Sequence, residues 1–501
     1  MIRFLWCGLL VSAGFGADYY VGAKGDDANP GSAERPWRTI ERVNRCEPRP
    51  GDRILLEGGR TFRGTLRLNA AFSKVVVSSF GDGRAVVDGG NGRAVSIEGA
   101  KGLAVRNLRL IGSGRKTGNT ESGLVVAHAE EVEISDVEVS GFRSSGVAIT
   151  GSGGVRVLRV HAHENGYAGI SSDGELSHDL YVAHCLVENN PGDPTARDNH
   201  SGNGIVIGRT RGAIIESCEA RYNGWDMPWT GNGPVGIWTF ESDHVTIQFC
   251  VAHHNRSTAT DGGGFDFDGG MTNSVLQYNY SHDNFGSGYL ICQYDGAGPF
   301  ADNVVRYNIS QDDGLKAHDA GIYVWVGGRG MKGALVHNNT IFNNKGSAVA
   351  FDVEKKFARP APEMRFYNNI FVSLGPQIRG GARHGRFVGN LYWSMGERGF
   401  LVDGYRDFVK WAAATGQEVS GDRLAGRFAD PRLRKDGTGL LTDPDALASL
   451  AEYLLLPGSP AIDAGVDLRE RFGIDPGKRD FYGTSLPQGR GFDIGAAEFR
   501  E

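Results

Sequence analysis

Three aspartates stand close together in the stretch DGGGFDFDGG, residues 261–270: Asp261, Asp266 and Asp268. In an extended strand Asp266 and Asp268 point to one face, with Cα atoms about 6.6 Å apart. Asp261 precedes that strand by a glycine run and can lean over both. Carboxyls this close do not all ionise at one pH, so one keeps its proton while a neighbour is charged. A proton donor beside a charged carboxylate is the pairing that cleaves glycosidic bonds, at about 5–5.5 Å with retention or about 6.5–9.5 Å with inversion. The same oxygen-rich group also suits Ca²⁺ or a plain Asp-Gly corner.

A second polar group is QDDGLKAHDAG, residues 311–321, with Asp312, Asp313, Lys316, His318 and Asp319. Here Lys316 or His318 is a candidate base for proton abstraction beside a uronate carboxylate, with Ca²⁺ held by aspartates. In a hydrolase the same groups bind sugar hydroxyls. Glu241, Asp243, Gln293, Asp295, Asn199 and His200 are supporting polar candidates.

The elements that must carry these residues follow from a repeat. A short apolar strand ends in Asn, polar residues follow, and a Gly opens a second apolar strand. VTIQFCVAHHN (245–255) with GFDFDGG (264–270), and SVLQYNYSHDN (274–284) with GYLICQY (288–294), are clear copies. The strand-opening glycines Gly123, Gly146, Gly169, Gly204, Gly236, Gly264, Gly288 and Gly321 are separated by 23, 23, 35, 32, 28, 24 and 33 residues. A floor near 23 with irregular excess is a coil with loops inserted into some turns. Stacked turns share one core that no single turn can bury. The inserts fall at 189–203, 222–235, 255–263 and 311–320, just before the Gly-opened strand, so they stack into a wall; one at 295–302 follows its strand.

Counting from each glycine, positions +1 and +3 are apolar and inward: Ile205/Ile207, Ile237/Thr239, Phe265/Phe267, Tyr289/Ile291, Ile322/Val324. Positions +2 and +4 face outward: Val206/Gly208, Trp238/Phe240, Asp266/Asp268, Leu290/Cys292, Tyr323/Trp325, with Asp352 and Glu354 added by a looser alignment. Aromatic surfaces flanking acids suit sugar rings, whose faces are apolar. Trp238, Tyr323 and Trp325 are the expected platform, extended by Trp225 and Trp229; Glu241, Asp295, Lys316 and His318 complete the substrate-binding set. No metal ligand set is expected, with Ca²⁺ the one cofactor left open.

The chain has 501 residues, a net charge of −6, 75 glycines and 18 prolines. Without a triplet period it is not collagen, and without a basic stripe it is not a nucleic-acid binder. Residues 1–17, Arg3 followed by FLWCGLLVSAGFGA, read as a secretory signal. Cys185, Cys218 and Cys250 share one place in successive repeats, and Asn279, Asn308, Asn339 and Asn369 take over that column. An inward ladder of hydrogen bonds is expected. His253, His254, His282 and His337 recur with the scaffold and read as corner residues, as do His161 and His163.

The opening, DYYVGAKGDDANPGSAERPWRTIERVNRCEPRPGDRILLEGG, and the tail phrases LLLPGSPAIDAGVDL and RDFYGTSLPQGRGFDIGAAEF resemble those of secreted bacterial right-handed parallel β-helix proteins. Pectate lyases and polygalacturonases share that fold. The resemblance implies an all-β solenoid: a signal at 1–17, an N-terminal strand and capping helix at 18–52, the β-helix at 53–394 and a C-terminal cap at 395–501. Lacto-N-biosidase-type β-helix enzymes use two aspartates from one turn, a pattern that Asp261 and Asp268 match. Polygalacturonase Asn-x-Asp and Asp-Asp motifs are not visible. The expected protein is an exported monomeric glycoside hydrolase acting on carbohydrate. The alternatives are a Ca²⁺-dependent lyase or epimerase, and a non-catalytic carbohydrate-binding coil.

Overall fold

The computed structural model describes residues 16–355 and 363–500. The proposed signal lies outside the described residues except for its last two positions. Three long parallel sheets of 14, 12 and 14 strands run the length of the molecule. Each turn of the coil gives one strand to each sheet. In one turn these are Asp243–Gln248, Val251–His253 and Phe265–Phe267, each paired in parallel with the equivalent strand one turn on, Val275–Gln277, Tyr280–His282 and Tyr289–Gln293.

The corner between the first two strands of successive turns needs a left-handed residue. Ser217, Phe249, Tyr278, Tyr307, Asn338 and Asn368 fill it, all with φ between +50° and +58°. Six consecutive non-glycine residues in that region mark a conformation imposed by stacking rather than by local preference.

The inward positions are as the alternation requires. Ile205, Ile207, Ile237, Thr239, Phe265, Phe267, Tyr289, Ile322 and Val324 are sealed inside. Phe265 and Tyr289 stack at 5.4 Å, one turn apart. Two internal ladders of amides flank this core. One runs Asn165, Asn190, Asn223, Asn255, Asn284, each Nδ2 donating to the next Oδ1, and ends on Asp313. The other follows the cysteine column through Asn279, Asn308, Asn339, Asn369 and Asn390 and ends on Glu418. Every rung satisfies polar groups that water cannot reach.

The ends are closed differently. A short helix, Ile40–Val43, capped by Thr39, buries Ile40 and Val43 at the start. A helix, Phe408–Thr415, capped by Asp407 and ended by Gly416 at φ +70°, drives Trp411 into the last turns against Tyr392 and Phe400. The remaining tail folds back along the two 14-stranded sheets. Gln311 donates to the Gly439 carbonyl, Asn338 to Asp493 O, and Arg306 to Asp475 O. The 12-stranded sheet carries the aspartates.

Candidate active site on the 12-stranded sheet

The register fixes which outward residues adjoin. Val206, Trp238, Asp266, Leu290, Tyr323 and Ala350 form one column, one residue per turn. Cys292, Trp325 and Asp352 form the next. Asp266 projects outward from the strand Phe265–Phe267, and Asp268 follows directly at its end, its N–H bonded to Thr239 O.

The inserts stack as their common position demands. Asp226 N–H donates to Pro191 O, Gly262 N–H to Pro234 O, and Gly286 N–H to Gly262 O, each near 2.8–3.0 Å. Asp261 closes one of these turns at φ +58°. Its Oδ2 accepts the Gly233 N–H at 2.6 Å, and its Oδ1 faces His318 Nε2 at 3.1 Å. The Nδ1 of His318 accepts from the Ser287 N–H, so Nε2 carries the hydrogen that Asp261 receives. His318 and Asp319 are successive left-handed residues, at φ +68° and +49°. That bend lays the His318 ring flat on Tyr323, with centroids 4.0 Å apart. Tyr323 donates in turn to Asp352 at 3.1 Å.

Asp268 is half-buried beside Asp261. Its Oδ1 takes the Gly269 N–H at 2.7 Å, and the Cys292 thiol donates to it. Burial outweighs these donors and pushes its carboxyl up to about 6. Tyr294 lies against the same corner, because a Cβ on Gly269 would stand 2.5 Å from its ring. Asp266 differs: it is 2% exposed, and its Oδ1 has no hydrogen-bond partner. Burial, then the charges of Asp268 and Asp261, raise it well above the carboxylate range. Asp266, whose charged form burial disfavours, thus lies beneath, while Asp261 and Asp268 are partly exposed.

The aromatic platform is only partly as the alternation suggests. Trp238 points outward, yet it is 4% exposed, covered at its edge by His200 at 5.1 Å, and its Nε1 donates to Asn203 at 3.0 Å. With Ala168, Val206 and Val235 it forms a small apolar core outside the coil. The inserts cover it, so it supports the wall and offers no open ring face. Burial of His200 lowers its imidazole to about 4. Tyr323 and Trp325 remain partly open beside the acids. Trp225, 45% exposed, bonds to Asn189 and lies under Arg115, in a separate hollow with Lys116 and Glu164. Trp229 bonds to Asn232 on the wall, next to the loop that ends in Asp261.

Three other expected ligands serve the loops. Glu241 accepts the Gly298 N–H at 2.9 Å and so anchors the 295–302 insert, which begins with exposed Asp295. The Lys316 ammonium meets Ser257 O at 3.4 Å and sits over the Phe285 ring, tying two inserts together. Asp313 belongs to the interior ladder, and Asp312 binds Asn344 through both oxygens. Sequence alternation missed Tyr294 and gave Cys292 no role; a glycine next to Asp268 was the available signal for a ring packed there.

A family model described as a right handed beta helix region matches residues 195–371. That span holds the inserts, the aspartates and most of the asparagine ladders. The chain is a right-handed parallel β-helix. The structure of GH136 lacto-N-biosidase from Eubacterium ramulus is similar, at 18% identity and a TM-score of 0.51, over 68% of this chain and 67% of that chain. A PL6 family alginate lyase matches at 16% identity and a TM-score of 0.53, over 97% of this chain and 59% of that chain. No curated protein matches the sequence.

Proposed function

We propose that this β-helix is an exported glycoside hydrolase whose reacting pair is Asp261 and Asp268. The observation that carries the reading is a pair of differently dressed, partly exposed carboxyls, with Asp261 near enough for its charge to raise Asp268. Asp268 holds a proton up to about pH 6, which suits a general acid for a departing sugar oxygen. Asp261 accepts from the Gly233 N–H and from His318 through separate oxygens, the pattern of a charged carboxylate, which suits the base or nucleophile. Tyr323 holds the His318 ring in plane, and Tyr323 with Trp325 offers aromatic surface to a sugar ring. The similarity in fold to a lacto-N-biosidase agrees with this chemistry, and a carbohydrate substrate is common to both similar structures.

In the lyase reading, Lys316 is engaged between inserts and both His318 nitrogens are already bonded, to Ser287 and to Asp261, so His318 would have to give up one of these partners to act as the base. The donor set does not fit a resident Ca²⁺: the Cys292 sulfur and the His318 imidazole stand among the carboxylates, where Ca²⁺ takes oxygen ligands. No step is therefore routed through calcium.

The test is incubation of the full chain with neutral and acidic polysaccharides and oligosaccharides. Reducing ends and the ultraviolet absorbance of unsaturated uronate are followed together. Reducing ends without absorbance, lost in both Asp261→Asn and Asp268→Asn, are expected. Absorbance retained in Asp268→Asn and lost in His318→Ala would replace the hydrolase by a lyase. If Asp261 is the nucleophile, azide is expected to give a glycosyl azide of inverted configuration with Asp261→Gly and of retained configuration with Asp268→Gly; the reverse pattern exchanges the two roles.

A further inference from the structure

On a 14-stranded sheet, not the one that carries the aspartates, three imidazoles converge where the second strand of each turn ends. His253 and His282 occupy the same register in adjacent turns, with rings parallel at 4.7 Å. His254 sits on the following corner, at φ +54°. One ligand atom from each of the three lies within 4.8 Å of the others.

The hydrogen bonds of the two buried rings fix where their lone pairs point. His253 Nε2 faces Glu219 Oε1 at 3.0 Å, and His282 Nε2 faces the Leu441 carbonyl at 3.2 Å. Both partners are acceptors, so both Nε2 atoms carry hydrogen, and in the neutral rings both Nδ1 atoms carry lone pairs. Yet His282 Nδ1 faces Asp283 Oδ2 at 2.9 Å, and His253 Nδ1 faces His254 Nδ1 at 2.9 Å. His254 can donate to His253, but a neutral His282 aims its Nδ1 lone pair at a carboxylate, in a place nearly sealed from water: His253 and His282 are 2% and 1% exposed. A shared cation removes that conflict in one step. The carboxylate on the far nitrogen of His253 is also the outer partner that metal-bound imidazoles commonly have.

We infer that His253, His254 and His282, with Asp283 adjoining, bind a divalent transition-metal ion of the Zn²⁺ class. Imidazole with one carboxylate selects zinc, cobalt, nickel or copper over calcium and magnesium. With metal–nitrogen bonds of about 2.0–2.1 Å, the ion would draw the farthest nitrogens together by about an ångström. The site is structural. The insert that carries Asp261 leaves the coil at Asn255, directly after His254, and Leu441 of the folded-back tail covers His282. An ion here pins both at one corner. It lies outside the proposed reacting pair and stands or falls without it.

The test uses the purified full chain, stripped with a chelator and titrated with Co²⁺, whose visible spectrum reports imidazole ligation, and with Zn²⁺ by calorimetry. One equivalent per chain is expected, with a rise in Tm on Zn²⁺ addition. His254→Ala, at a half-exposed corner, should abolish both signals. Glu219→Gln should weaken binding about 10- to 100-fold, as loss of an outer partner does. Failure of the wild-type chain to take up either ion overturns the inference whatever the variants do. So does uptake equal in wild type and His254→Ala. A proton shared by the His282–Asp283 pair would then account for the geometry.

Discussion

Two sets of buried carboxyls in this molecule look alike by burial and differ by partnership. Asp313 and Glu418 end the asparagine ladders inside the coil. Asp313 accepts the N–H and the Nδ2 of Asn284 and the Ser310 hydroxyl; Glu418 accepts the N–H and the Nδ2 of Asn390 and the Tyr392 hydroxyl. Burial pushes both up to about 7. Asp266 and Asp268, outside the coil, are raised by the same burial, but Asp266 keeps an oxygen with no partner. A raised carboxyl saturated with donors completes a scaffold. A raised carboxyl left short of donors, next to other acids, is a cost to the fold that a function must explain.

The largest effects should separate the two sets by activity. Asp261→Asn and Asp268→Asn should each lower kcat about 10²- to 10⁴-fold, the range of a lost acid or base, with Tm unchanged or raised. Activity within a few-fold of wild type in either removes that residue from the pair. Next comes Trp238→Ala. As a buried support it should cost about 3–5 kcal/mol of stability, as large-to-small core changes do; a raised KM at unchanged Tm would restore it as a sugar platform.

Asp313→Ala should cost about 1–3 kcal/mol by orphaning the Asn284 donors, while Asp313→Asn extends the ladder and should unfold near the wild-type midpoint. Equal losses in the two would show that charge, not hydrogen bonding, matters there. Asp266→Asn should keep activity within about tenfold, since the acid beneath the site is already neutral; a loss matching that of Asp268→Asn, on the scale of a missing acid, would move the general acid to Asp266. The smallest effect is on pH dependence. Folding retains protons on Asp268, Asp313 and Glu418 that the unfolded chain releases near pH 4. Stability should therefore fall as pH rises from the ordinary carboxylate range to about 6–7, and Asp313→Asn should flatten that fall. A stability that rises over this interval contradicts the burial argument.

The coil itself was legible because its rules are local and repeat. Gly-opened strands, period-two alternation and the Cys/Asn column placed Phe265, Tyr289, Asn279 and Asn308 inside, and the inward positions are sealed as counted. The same counting sent Trp238, Asp266 and Asp268 outward, and the register confirms the column. Outward, however, was not the same as exposed. The inserts cover Trp238 and Asp266, and no strand pattern reports what a loop from a neighbouring turn will cover. Asp313 shows the same limit from the other side: in sequence it stands among loop polar residues, and stacking makes it the last rung of a ladder.

The sequence by itself determined the repeat, the parallel coil, the site of the inserts and the aspartate segment, because each follows from spacing along a one-dimensional stack; that the segment 245–255 splits at a corner into strands of two sheets came from the structure. Only the tertiary structure decided that His318 serves Asp261, that Lys316 and Glu241 brace loops, and that His253, His254 and His282 meet. Those contacts join residues about one turn or more apart in the chain, at distances set by loop conformation and left-handed corners. Side-chain type and periodicity carry no information about them until the turns are stacked.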